Sequence, residues 1–146
     1  MKRRDALLGS AIVAGLAAGD AFAASGKRLG GAIIPPEKEM GLEKHVPIIT
    51  APATAKAGEP FTITVEVGKT VPHPNTLEHH IRWIQLYAQY EDSQYVIELG
   101  TFNFGPTVAH PKVTLPVMLQ SNATIYALEH CNIHGLWDSS VEIKVG

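Results

Sequence analysis

Between Phe61 and Val67 every second residue is apolar, and the residues that alternate with them are polar. Successive side chains of a β-strand point to opposite faces, so this alternation predicts a strand with one face in a hydrophobic core. A helix would instead repeat its apolar positions every three to four residues. This stretch therefore predicts that the chain builds its core from β-sheets.

Further extended runs follow the same principle and are separated by turn residues such as Gly, Pro, Asn, Asp and Ser. They lie at residues 48–51, 81–90, 95–103, 112–119, 124–128 and 141–145. No long helical pattern accompanies them. The sequence thus predicts an all-β fold, a seven-stranded immunoglobulin-like β-sandwich, with the metal-binding or catalytic loops gathered at one end.

The first 24 residues are predicted to be an export signal rather than part of this domain. Lys2, Arg3 and Arg4 precede an apolar run at residues 6–18, and residues 21–23 offer the small-x-small pattern of a cleavage site. The paired arginines are typical of a twin-arginine signal. The apolar run is shorter than the roughly 20 residues that span a bilayer, so we expect no membrane anchor after cleavage. The prediction is a periplasmic or otherwise exported protein, cytoplasmic if the signal is not used.

The folded domain is then predicted to cover residues 25–146, beginning with a loose, Gly- and Pro-containing arm that forms at most a helical turn near residues 37–40. The chain of 146 residues is 45% hydrophobic, which suffices for one domain with a substantial core. Its formal net charge is -2. Because no basic run could track a phosphate backbone, nucleic-acid binding is excluded.

The chain contains a single cysteine, Cys131, three residues before His134. In an exported protein such a thiol lacks a partner for an internal disulfide, so it is a metal ligand, an intermolecular link or an oxidation-prone group. A metal ligand is the most economical of these interpretations. A thiolate and an imidazole at this spacing can reach one ion where a strand enters a tight turn, and Gly135 would ease that turn.

Two further loops supply histidines. His73, His79 and His80 lie in a Pro-containing loop just before the predicted strand at 81–90. Because His79 and His80 are adjacent, we expect only one of them to reach a shared metal ion. An earlier loop at residues 43–47 contains His45, with a carboxylate and an amine directly before it. Together with Cys131 and His134, three loops offer one sulfur and four or five nitrogens.

At this point three segments closely resemble a known family. Residues 43–47, 73–84 and 131–137 are similar to the signature segments of superoxide reductases of the one-iron neelaredoxin type, and the resemblance extends over residues 38–145. The two-iron desulfoferrodoxins carry an additional N-terminal module with four cysteines. That module is absent here because the chain has one cysteine.

The resemblance implies an enzyme that reduces superoxide by one electron to hydrogen peroxide at a mononuclear non-haem iron, Fe²⁺/Fe³⁺, with one iron per chain. It also assigns ligand roles by position. The equatorial nitrogens would come from His45, His73, His79 and His134, the axial sulfur from Cys131 and a sixth, ferric-state ligand from Glu43. Lys44 would be a cation beside the open position, which attracts superoxide. His80, His110 and His130 match no ligand position.

The resemblance further implies a homotetramer and an external electron donor. Rubredoxin serves cytoplasmic relatives, whereas an exported enzyme would use a c-type cytochrome. The familiar members resemble cytoplasmic proteins, so the predicted export signal leaves the donor open. Disproportionation of superoxide, as distinct from its reduction, also stays open.

The same residues also allow other classes of protein. A blue-copper electron carrier is also an exported β-sandwich with His and Cys ligands, but it takes a weak axial Met beyond its last His. Met1, Met40 and Met118 all precede His134, and the histidines at 73 and 79 would be unused. A structural zinc site is a third interpretation. A cysteine hydrolase is disfavoured, since its nucleophile needs one base rather than an array of histidines.

Overall fold

The computed structural model describes the backbone from Leu42 to Gly146 and the side chains from Lys44 onward. The predicted signal at 1–24 and the predicted arm and helical turn before residue 41 lie outside the described residues. The elements are, in order, α1 (Leu42–His45), β1 (Ile48–Thr50), β2 (Thr54–Ala55), β3 (Pro60–Glu66), β4 (Ile81–Tyr90), β5 (Ile97–Asn103), β6 (Lys112–Met118), β7 (Ala123–Cys131) and β8 (Gly135–Val145). Within this part of the chain, none of the helices has the length and apolar character needed to cross a membrane.

The strands form two sheets, which confirms the predicted all-β sandwich. One sheet has the order β1-β3-β6 and the other β2-β8-β7-β4-β5. All neighbours are antiparallel except β2, which runs parallel to the end of β8. This two-residue strand was not predicted, because two residues cannot show a periodicity. It brings the number of strands to eight.

The alternation that predicts β3 sorts its side chains as expected. Ile63 and Val65 are fully buried, whereas Thr62, on the opposite face of the same strand, is exposed. They pack in one hydrophobic cluster with residues of the larger sheet such as Ile84 and Ile125. Each fully buried Ile or Val stabilises the fold by about 1.5–3 kcal/mol relative to an exposed one. The sandwich is thus a rigid support for the loops at its ends.

Strands β7 and β8 extend further than the predicted runs at 124–128 and 141–145. Their ladder continues to the pair Cys131 and Gly135, so the two strands form one long hairpin. The apolar pattern breaks at polar residues such as Glu129 and Asp138, which nevertheless lie buried in the hairpin. Consequently the Cys-x-x-His motif occupies the hairpin turn itself.

Two ends of the sandwich can be distinguished by the strand directions. One end, called here the histidine end, comprises residues 42–47, 67–80, 104–111 and 132–134. The opposite end, called the far end, comprises residues 51–59, 91–96 and 119–122. Every histidine of the predicted ligand set belongs to the histidine end, as expected from the prediction of functional loops at one end.

Candidate metal centre

The β7–β8 hairpin turn places a sulfur and a ring nitrogen side by side. The Sγ atom of Cys131 accepts a hydrogen bond from the backbone N–H of His134, with an N···S distance of 3.4 Å. The Nδ1 atom of His134 lies 3.6 Å from the same sulfur. Gly135, with φ of +80°, closes the turn in the left-handed conformation that glycine adopts without strain. Local backbone geometry therefore brings these two donor atoms together.

The loop between β3 and β4 contributes His73 and His79. Gly68 precedes it with φ of +78°, and a Cβ there would meet the backbone N of His73 at 2.5 Å, so only glycine fits. Further along, the backbone N–H of Thr76 donates to the His79 carbonyl at 2.9 Å, and the His79 N–H donates to Thr76 Oγ1 at 3.1 Å. This turn fixes His79 just before β4 begins.

Asn132 ties the hairpin turn to this second loop. Its Oδ1 accepts from the His80 backbone N–H at 2.9 Å, and its Nδ2 donates to the Glu78 carbonyl at 2.9 Å. Its own backbone N–H donates to the His80 carbonyl at 3.1 Å. Because three hydrogen bonds converge on one residue, the loops that carry Cys131 and His79 hold a fixed relative position.

His45 is the last residue of α1 and is buried, with 3% of its surface exposed. Its ring stacks on the indole of Trp137, with ring centroids 4.8 Å apart and planes inclined by 14°. The chain that follows is held by a hydrogen bond from the Ser139 hydroxyl to the Pro47 carbonyl. Packing against β8 thus directs the third loop to the same site.

Four imidazole rings form a closed square at the histidine end. Neighbouring ring centroids lie 4.6–4.9 Å apart with interplanar angles of 69–80°, in the order His45, His73, His79, His134 and back to His45. His45 and His79 face each other across the square at 6.3 Å. Rings arranged edge to face around one point are typical of four nitrogen ligands in a plane around an ion.

The donor atoms have separations that suit one ion. His45 Nε2 lies 3.1 Å from His134 Nδ1, and two imidazole nitrogens bound at about 2.1 Å and at right angles would lie about 3.0 Å apart. The donor atoms of His45, His79, Cys131 and His134 all lie within 4.8 Å of one another. The group therefore has the dimensions of a mononuclear site.

The hydrogen bonds of the rings also suit a metal. His73 Nδ1 lies 2.6 Å from the Pro74 carbonyl, so this nitrogen carries the proton and donates it, which leaves a lone pair on Nε2. The Nε2 atoms of His73 and His79 are buried and have no hydrogen-bond partner within residues 42–146. Such atoms each cost about 1–3 kcal/mol when unsatisfied. A cation would satisfy both.

The pKa shifts of these side chains also favour binding of a metal ion. Burial lowers the pKa of His73 to about 4, and burial together with the charges of His134 and Lys44 lowers the pKa of His79. Both rings are therefore neutral at pH 7, as metal ligands must be. Burial also raises the pKa of the Cys131 thiol, which favours the thiol unless a cation is bound beside it.

The remaining candidates lie elsewhere. His80 Nδ1 lies 3.1 Å from the Thr76 carbonyl, His110 pairs with Glu66, and His130 lies against Trp83. Lys44 is exposed, and its charge acts on His79. The side chain of Glu43 lies outside the described residues. The structure thus brings together Cys131 and the four histidines that the resemblance selects.

Several residues around the site were not identified from the sequence. Trp137 supports His45, and Asn132 joins two loops, although neither residue type signals such a role by itself. Glu129 is fully buried on β7, two residues before Cys131, and burial raises its pKa to about 9. Neither of its carboxyl oxygens has a hydrogen-bond partner in the described part of the chain. The available signal was its spacing of two residues from the core residues Ala127 and Cys131, which places all three on the same face of β7.

The family model described as desulfoferrodoxin matches residues 37–140. The chain belongs to the desulfoferrodoxin family. This match includes all three loops that form the square of histidines and the cysteine beside it.

Relatives within this family are similar over most of their own length. A putative superoxide reductase of Thermotoga maritima is 48% identical, covering 70% of this chain and 88% of the relative. The neelaredoxin of Megalodesulfovibrio gigas is 39% identical, with the same coverage of both chains. The solved structure of a superoxide reductase (neelaredoxin) from Ignicoccus hospitalis has a TM-score of 0.66 and 44% identity, covering 70% of this chain and 81% of that one.

Proposed function

We propose that this protein is a superoxide reductase, which reduces superoxide by one electron to hydrogen peroxide at a mononuclear non-haem iron centre. The observation that carries this conclusion is the square of four imidazoles with a buried thiol beside it. The curated relatives, which are named superoxide reductases and neelaredoxin, support the same activity. The overall reaction consumes one electron and two protons for each superoxide converted to peroxide.

The proposed ligands are His73 and His79 through Nε2, His45 through Nε2, His134 through Nδ1 and Cys131 through Sγ. Their separations and unpartnered nitrogens support the assignment. When bound, the iron supplies a one-electron Fe²⁺/Fe³⁺ couple. Imidazole and thiolate together are donors suited to iron.

The protein's own contribution would be to hold these donors around the iron. Four of the proposed donors, those of His45, His79, Cys131 and His134, form one group of candidate ligands in the described residues. The ring of His73 joins them through its contacts with His45 and His79. We assign Glu43 as a further residue that would bind the iron in its oxidised state, as the resemblance implies. The position of Glu43, directly before Lys44 and two residues before His45 in the sequence, supports that assignment.

Lys44 is proposed to attract the substrate. Four neutral imidazoles and one thiolate around a ferrous ion leave one net positive charge, and the exposed ammonium of Lys44 adds another next to His79. Superoxide is a small anion, so local positive charge raises its rate of encounter, by about tenfold or more at low salt. The backbone N–H of His134 donates to the Cys131 sulfur and moderates its charge.

A blue-copper electron carrier fits the site less well. That class takes an axial methionine near its last histidine, whereas Met118, on β6, pairs with Pro60 at the far end. Such a centre would also leave two of the four rings in the square without a role. Four imidazoles and a thiolate favour the iron enzyme.

We further propose that the enzyme is exported and acts in the periplasm, as a homo-oligomer. The basic residues Lys2 to Arg4 and the apolar run at 6–18 support export by a twin-arginine signal. In that compartment a c-type cytochrome is the expected electron donor, and rubredoxin is the expected donor if the signal is not used. Fractionation of the native host, with detection of the mature chain, tests this location.

The activity is tested by metal analysis and a superoxide assay on the purified protein. We expect one iron per chain, a visible spectrum that changes between the oxidised and reduced forms, and stoichiometric formation of peroxide from superoxide. Release of oxygen at half the rate of superoxide consumption would instead show disproportionation. A protein loaded with zinc or copper in place of iron, after expression with all three metals, contradicts the proposal.

Replacement of the thiol tests the ligand set directly. In the Cys131→Ser variant we expect loss of the sulfur-to-iron charge-transfer band in the visible spectrum, because the thiolate donor is gone. The matched control is His110→Ser, which changes a histidine outside the cluster and should leave the band unchanged. If the band persists without the thiol, Cys131 is not a ligand.

A further inference from the structure

We infer that Asn75 is a positioning residue for the proposed iron centre and sets the direction of the His73 ring. Its side-chain amide fixes the peptide group between Pro74 and Asn75, and the carbonyl of that group accepts the Nδ1 proton of His73. The inference rests on the proposed function, because that function assigns His73 as an iron ligand. It adds the β5–β6 loop, at residues 104–111, to the parts of the chain that hold the site.

The ring of His73 is oriented by the residue that directly follows it. Its Nδ1 lies 2.6 Å from the Pro74 carbonyl oxygen. This carbonyl belongs to the same planar peptide group as the backbone nitrogen of Asn75. A rotation of that group would move the oxygen and turn the ring, whose buried Nε2 has no hydrogen-bond partner in the described residues. The direction of Nε2 therefore depends on what holds Asn75.

Asn75 is held by both ends of its side-chain amide. Its Nδ2 donates to the Ala109 carbonyl at 3.1 Å, and its Oδ1 accepts from the Thr107 backbone N–H at 2.9 Å. Within the same loop the Ala109 N–H donates to the Gly105 carbonyl at 2.9 Å, which closes the turn that receives the amide. An asparagine amide supplies one donor and one acceptor in this arrangement, whereas an aspartate would place a second acceptor against a carbonyl.

Thr107 shows that this contact constrains the β5–β6 loop. Its φ of +68° is the one positive φ of a non-glycine residue within the described part of the chain. A β-branched residue is unfavourable in that region and persists there only where its surroundings hold it. The group that Asn75 binds is the Thr107 N–H itself. The strained conformation is thus maintained at the point where this loop meets the loop of His73.

The β5–β6 loop is in turn anchored to the hydrophobic core. Val67, which is fully buried directly after β3, donates its backbone N–H to the Pro111 carbonyl at 3.0 Å. The next residue, Gly68, lies so close to the second loop that a Cβ would be 2.5 Å from the His73 backbone nitrogen. His73 is therefore placed between the backbone of Gly68 and the amide of Asn75, and both are tied to the same loop.

The other proposed ligands have supports of their own. His79 is held by its turn, and His45 is held by the indole that stacks on it from β8. The hydrogen bonds of Asn132 join the hairpin turn to the loop of His79. Loss of the Asn75 amide should therefore act on the metal through His73, which gives the inference a specific test.

A double-mutant cycle tests whether Asn75 acts through His73. The mature chain is prepared without metal, and Fe²⁺ is titrated anaerobically into Asn75→Ala, His73→Ala and the protein with both changes. We expect Asn75→Ala alone to lower the Fe²⁺ affinity about 10- to 100-fold, because the support of one ligand is lost. In the His73→Ala background the same change should lower the affinity less than about twofold, since the ring on which Asn75 acts is gone.

Two other asparagines serve as matched controls. Asn132→Ala breaks the contacts of the hairpin turn, so its loss of Fe²⁺ affinity should be the same with and without His73. Asn122→Ala loses two side-chain hydrogen bonds at the far end and should leave the affinity unchanged in both backgrounds. Urea unfolding of the metal-free variants shows that each is folded before the titration.

The Nδ1 proton of His73 gives a second measurement that does not need the His73 variant. It is followed by NMR in the Zn²⁺-loaded protein, because Zn²⁺ is diamagnetic and accepts imidazole and thiolate donors. We expect its exchange with solvent to be at least about tenfold faster in Asn75→Ala than in the wild type, and unchanged in Asn122→Ala. If the His73→Ala protein binds no Fe²⁺, this exchange rate decides the question.

Equal losses of Fe²⁺ affinity from Asn75→Ala in the two backgrounds would overturn the inference, because Asn75 would then act on the fold as a whole. An unchanged affinity or an unchanged Nδ1 exchange rate in Asn75→Ala would overturn it as well. A separate result concerns the proposed function. Wild-type protein that binds Fe²⁺ but leaves superoxide unreacted would contradict superoxide reduction, whereas the role of Asn75 in holding His73 is measured without superoxide.

Discussion

The two ends of the sandwich are closed by different kinds of contact. At the far end the Gly58 N–H donates to the Leu119 carbonyl at 2.8 Å, and the Glu91 N–H donates to the Asn122 carbonyl at 3.0 Å. Asn122 also accepts from the Val145 N–H at 2.8 Å. At the histidine end the loops are likewise tied by hydrogen bonds, but two buried ring nitrogens, on His73 and His79, have none within the described residues.

This difference indicates which end depends on a metal. The far end satisfies its polar groups from within the chain, so its stability should not respond to iron. The histidine end buries polar atoms at a cost of about 1–3 kcal/mol each, and a bound cation would remove that cost. One end of the fold is therefore held by contacts within the chain, whereas the other end needs a bound ion to satisfy its buried polar atoms.

Removal of iron should produce the largest effect and should be confined to one end. If the ion is present at a thousand times its dissociation constant, it stabilises the protein by about 4 kcal/mol, which for a domain of this size corresponds to roughly 15 °C in Tm. Calorimetry of the iron-free and iron-loaded protein measures this shift. Hydrogen exchange should accelerate at residues 67–80 and 132–134 and stay constant at 119–122. Equal acceleration at both ends would refute the distinction.

Two asparagines in equivalent roles provide the next comparison. Asn132→Ala removes the hydrogen bonds that join the hairpin turn to the loop of His79, so we expect a loss of about 1–3 kcal/mol in unfolding free energy and a 10- to 100-fold loss of iron affinity. Asn122→Ala, its counterpart at the far end, should cost a similar free energy of unfolding. Its iron affinity should not change. Denaturant unfolding and iron titration measure both quantities, and a fall in iron affinity in both variants would remove the contrast.

Replacing one lysine at each end compares the electrostatic effect of the two ends on the reaction with superoxide. Lys44→Ala should lower the second-order rate constant with superoxide several-fold and flatten its dependence on ionic strength, because a cation beside the centre is lost. Lys56→Ala, which removes an exposed cation at the far end, should change neither quantity. Pulse radiolysis at a series of salt concentrations gives both rates. A wild-type rate and salt profile in the Lys44 variant would exclude the steering role.

The β-sandwich could be predicted from the sequence because the alternation of apolar and polar residues, as in β3, is visible between neighbours along the chain. The candidate ligands were proposed less from pattern than from the resemblance of three short segments, since the spacing of His45 from Cys131 in the sequence says nothing about their distance in space. The length of the β7–β8 hairpin could not be predicted in this way. Polar residues such as Glu129 interrupt the apolar pattern, but they remain in the strand because they pair with the neighbouring strand.

The tie residues escaped prediction for a related reason. Asn75 and Asn132 act through hydrogen bonds to loops that are distant in sequence, and an asparagine in a loop is ordinarily part of a turn. The pairing of Trp137 with His45 likewise depends on how α1 meets β8. Such long-range contacts follow from topology, and sequence patterns describe neighbours along the chain.

The smallest expected effect concerns an ion pair near each end. Glu66, at the end of β3, is 15% exposed and accepts from His110 at 3.0 Å and from Lys112 at 3.2 Å. Burial alone would raise the pKa of Glu66, but the hydrogen bonds from His110 and Lys112 outweigh it and lower the pKa below 4.5. At the far end the pair of Lys144 with Glu91 is about half exposed on both sides.

A carboxyl group whose pKa is lower in the folded state stabilises the protein above its unfolded pKa, and this contribution disappears as the pH falls through the folded value. We therefore expect Glu66→Gln to cost about 0.5–1 kcal/mol at pH 7 and progressively less below pH 4.5. Lys144→Ala, at the more exposed pair, should cost less than about 0.5 kcal/mol. Urea unfolding of the three proteins between pH 7 and pH 3 measures the differences. A cost for Glu66→Gln that stays constant over this range would show that the carboxylate charge contributes nothing, and that the histidine end is held by its hydrogen bonds and its ion alone.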